Sequence, residues 1–149
     1  TWPEVAGEVE AADVVVCAHV LYNVGDIERF VAALTAKARR LVVVELTVAH
    51  PQAHLNPLWR HFHGLERPTG PTADDALTVL GEMGLEAGVV RWQAPGRWES
   101  APREELVAFA RRRLCLSPER DPEVAVALDE LFETSPRQLA TLWWPGTAA

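Results

Sequence analysis

Three polar side chains that could take part in chemistry, His19, Tyr22 and Asn23, closely follow an apolar run over residues 14–18. Apolar and small residues in a row, without alternation, are typical of a strand that is buried on both faces in a parallel sheet. In such sheets, ligands bind just past the carboxyl ends of the strands. An imidazole gains and loses protons near neutral pH, so His19 is a candidate general base, and hydrogen bonding to a neighbouring loop is its alternative role.

A strand, a helix and a second strand position these residues. Asp26 is a suitable N-cap for a helix whose apolar residues repeat at helical spacing through about Lys37. Residues 41–46 form a second apolar strand and complete a segment with the length of a βαβ unit. Because its crossover is right-handed and its strands are parallel, residues 18–23 and 47–50 should reach the same rim of the sheet.

Two more polar residues lie near that rim. Glu45 is close to the end of the second strand, and Thr47 comes just after it. A carboxylate in so apolar a run is costly to bury without a partner, so we expect Glu45 to bond either an acceptor amine or a loop amide. Trp2, ahead of the first strand, either borders a pocket or plugs the end of the sheet.

The segment at about residues 48–71 contains several prolines, which predicts short helical pieces. An insertion of this length beside a ligand rim is either a lid or a surface excursion that covers the core. Its His50, Trp59 and His63 are candidates for substrate contacts, and packing is the alternative role of Trp59. His50 and His54 could share a helix face, but no carboxylate or cysteine stands at metal-ligand spacing beside them, so we predict no metal site.

The remaining elements alternate between helix and strand. Thr72 is a suitable cap for a helix, and residues 85–92 form a third strand. Two helices are predicted at residues 103–116 and 122–132, and a last strand at residues 138–144. This order is typical of an α/β fold.

Composition restricts the class of partner. The 149 residues, 48% of them hydrophobic, are enough for a single domain with its own core. A net charge of -7 argues against a nucleic-acid partner. Neither a signal peptide nor an apolar run of spanning length is visible, so we expect no membrane partner. Cys17 and Cys115 have no metal-type spacing and suit a reducing, cytoplasmic compartment.

The order of elements resembles the C-terminal half of a class I S-adenosylmethionine-dependent methyltransferase. The stretch from Asp13 to Asp26 is similar to the family's fourth strand with its following loop and helix. Residues 40–47 look like the fifth strand, and residues 76–92 like the next helix and the sixth strand. Residues 138–144 would be the seventh strand, which in this family inserts antiparallel between the fifth and sixth. The resemblance implies a partial Rossmann-like sheet, mostly parallel with an antiparallel final strand, and helices on both faces.

The resemblance also implies roles for the rim residues. Ala18, His19 and Val20 would lie near the methionine part of S-adenosylmethionine, and His19 would act as the base. A small-molecule methyl acceptor would be contacted by Tyr22, Asn23, Thr47, His50, Trp59 and His63.

Two parts of the family pattern have no counterpart in residues 1–149, namely the glycine-rich loop after the first strand and the acidic residue after the second. We therefore expect residues 1–149 to be the C-terminal half of a methyltransferase domain, inactive alone, with a lid-like insertion at about 48–71. Without the family's first strand, residues 14–18 would form an exposed apolar edge. That edge should pair with another copy, in a homodimer, or with a missing N-terminal half. The alternatives are a noncatalytic α/β dimerisation or regulatory module and another Rossmann-like enzyme with an all-parallel sheet.

Overall fold

The computed structural model describes residues 1–96, 100–132 and 135–149. The chain divides into two compact units. The first, which we call the sheet unit, consists of Thr1–Val48, Pro71–Trp92 and Gln138–Ala149. The second, which we call the helical unit, consists of Ala49–Gly70 and Gln93–Arg137. The segment predicted as a lid therefore lies almost entirely in the helical unit.

The sheet consists of β1 (Ala12–Ala18), β2 (Ala38–Thr47), β3 (Gly88–Ala94) and β4 (Arg137–Pro145), in the order β1-β2-β4-β3. β1 and β2 are parallel, which confirms the predicted βαβ unit. β4 is antiparallel to β2 and lies between β2 and β3. The final strand thus has the position and direction that the resemblance implied.

The prediction of a mostly parallel sheet is wrong. In the part of the chain that the structure describes, most adjacent strand pairs are antiparallel. The cause is the internal position of β4, because one reversed strand inside a sheet takes part in two strand pairs. The same strand excludes the all-parallel sheet.

Helices in the described residues are α1 (Ile27–Lys37), α2 (Asn56–His63), α3 (Ala73–Glu82), α4 (Arg103–Arg113) and α5 (Asp121–Leu131). α1 begins after Asp26, whose carboxylate accepts a hydrogen bond from the backbone N–H of Arg29 at 3.1 Å. α3 begins with a capping box in which Thr72 and Asp75 bond each other's backbone N–H groups. Both caps are the predicted residues. No helix in the described ranges combines the length and apolarity needed to cross a membrane.

One face of the sheet carries the core of the sheet unit. Val44 of β2 and Trp144 of β4 are completely buried, and they share a hydrophobic cluster with Val31 of α1 and Leu80 of α3. Because successive strand residues point to opposite faces, the buried residues Val42, Val44 and Leu46 of β2 and Ala140, Leu142 and Trp144 of β4 belong to a single face. Both α1 and α3 therefore pack on that face.

The opposite face of the sheet is partly exposed, although Leu139 of β4 on that face is buried. Val16 of β1 is 68% exposed and Trp143 of β4 is 38% exposed. The strand register places Val16 beside Val43 and Val43 beside Trp143, so these side chains form an apolar row. We call this surface, which also includes Val14 and Trp92, the open face.

One expectation about coverage therefore fails. β1 is not buried on both faces, because it is an edge strand that pairs with β2 alone in the described sheet. Helices on both faces stay a prediction; within the sheet unit, α1 and α3 share one face.

The helical unit has a separate core between α2, α4 and α5. Leu58, Ala110 and Leu128 are at its centre. A short 3₁₀ turn at Ala53–Leu55 precedes α2, which ends at Gly64 in the left-handed conformation with φ 64°. These short pieces agree with the proline-rich pattern of the segment.

Candidate functional site

The parallel pairing of β1 and β2 brings their carboxyl ends together. Ala18, the last residue of β1, pairs with Glu45 of β2. The backbone N–H of His19 then donates to the backbone carbonyl of Glu45 at 2.8 Å. His19 is therefore fixed beside Glu45 at the predicted rim.

The His19 ring lies between a carboxylate and a phenol. Its Nε2 is 3.2 Å from Oε1 of Glu45. Its Nδ1 is 2.9 Å from the hydroxyl oxygen of Tyr22. Tyr22 is also hydrogen-bonded by Thr47. We call His19, Tyr22, Glu45 and Thr47 the rim cluster.

The backbone after β1 explains how Tyr22 reaches His19. His19 has a φ of 58°, in the left-handed region, and the chain then forms a 3₁₀ turn at Leu21–Asn23. A left-handed residue with a side chain costs about 1–2 kcal/mol relative to the right-handed conformation. Leu21 anchors the turn because its side chain is buried in the core. This reversal of the chain brings the Tyr22 hydroxyl to the ring of His19, three residues earlier in the sequence.

Electrostatics keep the phenol of the rim cluster neutral. Burial raises the pKa of Tyr22, and hydrogen bonds from Thr47 offset only part of that rise. The charge of Glu45 raises the same pKa further. Tyr22 is therefore a proton donor at neutral pH. With an imidazole and a carboxylate behind it, the cluster can hold and pass on a proton.

The other predicted residues of the sheet unit border the rim cluster along the chain. Ala18 and Val20 flank His19 and are exposed. Asn23 is also exposed, and its backbone N–H donates to the carbonyl of Val20 at 2.9 Å. His19, Val20, Tyr22 and Asn23 are therefore at least partly accessible, whereas Leu21 between them is buried.

The remaining predicted site residues, His50, Trp59 and His63, belong to the helical unit. Trp59 and His63 are one turn apart on α2, with their ring centroids 4.8 Å apart. Nε2 of His63 is 2.8 Å from the backbone carbonyl of Leu114. Nδ1 of His50 accepts a hydrogen bond from the backbone N–H of Gln52 at 3.2 Å. Their proposed contacts with a substrate remain predictions.

His50 and His54 of this segment are the histidines whose spacing would allow a shared metal ion. His54 lies edge-on to Phe132, with ring centroids 5.5 Å apart. Within residues 1–96, 100–132 and 135–149, no three His, Cys, Asp or Glu side chains form a group that could hold a metal ion.

Glu45 is the site residue whose role the sequence did not predict. Its side chain faces the ring of His19. The contact could have been predicted from the βαβ unit, because the register of two parallel strands places the end of β1 opposite a residue near the end of β2.

Comparisons with known proteins concern the fold. No protein-family model matches the chain, and no curated protein matches it. A cyclopropane-fatty-acyl-phospholipid synthase-like protein from Lactobacillus casei superimposes with a TM-score of 0.55 at 15% identity, over 95% of this chain and 60% of its own. A proposed methyltransferase from Bacillus halodurans matches with a TM-score of 0.45 at 12% identity, over 94% of this chain and 66% of its own.

The likeness to the Lactobacillus casei protein establishes a shared fold. With its four-stranded mixed sheet, the chain has an α/β fold that it shares with that protein. It spans 60% of the length of that neighbour. At 15% identity, the likeness shows the fold alone.

Proposed function

We propose that this chain is part of an S-adenosylmethionine-dependent methyltransferase that acts on a small-molecule acceptor. The observation that carries the proposal is the reversed β4 between β2 and β3, the arrangement that the resemblance to this family implies. The position of the rim cluster supports it, because ligands of open α/β sheets bind past the carboxyl ends of the strands.

The cofactor, when bound, supplies a methyl group on a positively charged sulfur. Ala18 and Val20 border its methionine part in this proposal, and both are exposed beside His19. The family's glycine-rich loop and ribose-binding acid have no counterpart in residues 1–149. The residues present therefore supply one wall of a cofactor site, and we propose that a further N-terminal half supplies the rest. Residues 1–149 alone would then be inactive.

The acceptor side of the reaction needs positioning and a route for a proton. Methyl transfer requires the acceptor atom to lie in line behind the methyl group, and a hydroxyl or amine acceptor must also lose a proton. In this proposal Tyr22, Asn23 and Thr47 contact the acceptor, and His19 receives its proton. A reducing cytoplasmic location agrees with the two free cysteines.

The open face and the free edge of β1 support a partner for this chain. Apolar side chains such as Val16 and Trp143 are exposed in a row, and such a patch indicates an interaction surface. We propose that a second copy or an N-terminal half of the domain pairs with β1. The same feature favours the alternative function, a noncatalytic dimerisation or regulatory module.

Calorimetric titration of S-adenosylhomocysteine tests the proposal. The full-length protein should bind it at one site per chain, and residues 1–149 alone should not. Absence of binding by a folded full-length protein would overturn the methyltransferase proposal, and dimerisation through β1 would then favour the noncatalytic module. Binding by residues 1–149 alone would overturn the proposed division of the cofactor site.

A further inference from the structure

We propose that the part of the open face beside the rim cluster binds an amine-bearing small molecule, with its ammonium group between the Glu45 carboxylate and the Trp92 ring. Because this molecule would be the methyl acceptor, the inference rests on the proposed function. It begins from the position of Glu45 in β2. Val44 and Leu46 on either side of it are buried in the core, so the alternation of the strand places the Glu45 side chain on the open face.

One carboxylate oxygen of Glu45 is available to a ligand. Its Oε1 is 3.2 Å from Nε2 of His19. Among the described residues, Oε2 has no hydrogen-bond partner, and it is not a buried atom. The side chain as a whole is 32% exposed. An ionised carboxylate only accepts hydrogen bonds, so Oε2 suits an N–H donor, and a protonated amine would also balance its charge.

Trp92 is fixed beside this carboxylate through Thr141 of β4. The register pairs Thr141 with Glu45, so their side chains lie on the same face of the sheet. Nε1 of Trp92 donates to the Thr141 hydroxyl at 3.1 Å, and the side chain remains 40% exposed. Because its one N–H is already bonded, the ring can contact a ligand only through its carbon atoms and its π-face. That face attracts ammonium groups.

An apolar surface continues from this position along the open face. Trp143 lies two residues beyond Thr141 on β4 and pairs with Val43 of β2. Its indole ring lies against Gly88 of β3, where an added Cβ would be 2.4 Å from the ring. Trp143 is therefore held flat on the sheet, one strand position away from Glu45. The arrangement suits a molecule with an ammonium group at one end and an apolar body.

The charge of the sheet unit also favours a cation. The unit contains eleven acidic and five basic residues, so most of the chain's net charge of -7 belongs to it. Arg91, next to Trp92, pairs instead with Asp74 of α3, which packs on the other face. Among the described residues, no three His, Cys, Asp or Glu side chains form a metal-binding group. An organic cation therefore fits the position better than a metal ion does.

Benzylamine and benzyl alcohol are a matched pair of probes for this site. They have nearly the same shape, but only the amine is cationic at neutral pH. In nitrogen-15 NMR titrations of the full-length protein in phosphate buffer, benzylamine should bind at least about tenfold more tightly than the alcohol. It should also shift the indole N–H signal of Trp92, which Trp92→Phe assigns. Equal affinity for the two probes, or binding that leaves this signal in place, would overturn the proposal.

Glu45→Gln tests the carboxylate, because it keeps an oxygen that can accept from His19 but removes the charge. This variant should bind the two probes with affinities within about threefold of each other, since the charged hydrogen bond is lost. Glu82→Gln is the matched control: it removes the same charge from an exposed position on α3, and its preference for the amine should be unchanged. A tenfold preference for benzylamine that persists in folded Glu45→Gln protein would contradict the proposed site.

Titration of S-adenosylhomocysteine separates this inference from the proposed function. If the full-length protein binds S-adenosylhomocysteine but does not prefer the amine, the inference fails and the methyltransferase proposal stands. If it binds benzylamine through Glu45 but does not bind S-adenosylhomocysteine, the methyltransferase proposal fails and the amine site stands.

Discussion

Replacing Thr35 with valine tests the buried hydrogen bond that joins α1 to β4. Nε1 of the completely buried Trp144 donates to the Thr35 hydroxyl at 2.8 Å. The same hydroxyl donates to the carbonyl of Val31 at 2.9 Å. Valine preserves the shape of threonine but removes the hydroxyl, so the indole N–H of Trp144 loses its partner in a site that water does not reach.

The expected cost follows from that unpaired donor. A buried polar group left without a hydrogen bond costs about 1–3 kcal/mol. Helix propensity adds little, because threonine and valine are similar in a helix. For a domain of this size the loss should lower Tm by about 2–12 °C. Thr35→Ser keeps the oxygen and should cost less than Thr35→Val.

Denaturant unfolding followed by tryptophan fluorescence measures this change in the free energy of unfolding. Thr78→Val removes an exposed hydroxyl of α3 and should change stability by less than about 0.5 kcal/mol. In a Trp144→Phe background the donor is absent, so Thr35→Val should cost less there than in the wild type. A Thr35→Val protein as stable as the Thr78→Val control would refute the reasoning.

Three further changes test the backbone and one helix cap. Gly146→Ala should destabilise by about 1–3 kcal/mol or more in thermal unfolding, because the new Cβ would lie 2.0 Å from the carbonyl oxygen of Ala38. Gly81→Ala should instead stabilise by up to about 1 kcal/mol, since its site on α3 is open and alanine favours helix; an equal loss in both alanine variants would contradict the steric argument. Hydrogen bonds with Thr72 lower the pKa of Asp75 in the folded protein. The ionised Asp75 therefore stabilises the fold above the unfolded-state pKa near 4, and this stabilisation is lost as pH falls through the lower folded-state pKa. Asp75→Asn should therefore lower Tm at pH 7, and the gap to the wild type should shrink by pH 3; a gap that does not change with pH would rule this out.

Locally encoded features were predictable from the sequence. Asp26 and Thr72 precede clear apolar periodicities, and both cap the helices that the patterns predict. The residues of β4 do not themselves indicate its direction, because the pattern of an apolar strand is the same in either direction. It was predicted through the resemblance in the order of elements.

Features that depend on distant residues were harder to predict. The run at residues 14–18 is as apolar as a fully buried strand, yet Val16 is exposed, because the coverage of a strand depends on elements elsewhere in the chain. The contact of Glu45 with His19 depends on the register between β1 and β2. The left-handed backbone of His19 has no signal in sequence, since residues other than glycine seldom adopt it.

The position of β4 has a consequence for synthesis on the ribosome. β3 begins at Gly88 and β4 begins at Arg137, and the later strand is the one that joins β3 to β2. While the nascent chain lacks residues 137–145, β2 has an unpaired apolar edge and β3 has no neighbour in the sheet. Chain elongation takes seconds over such a length, so we expect this edge to be a target for chaperones and the sheet to close only after β4 has emerged.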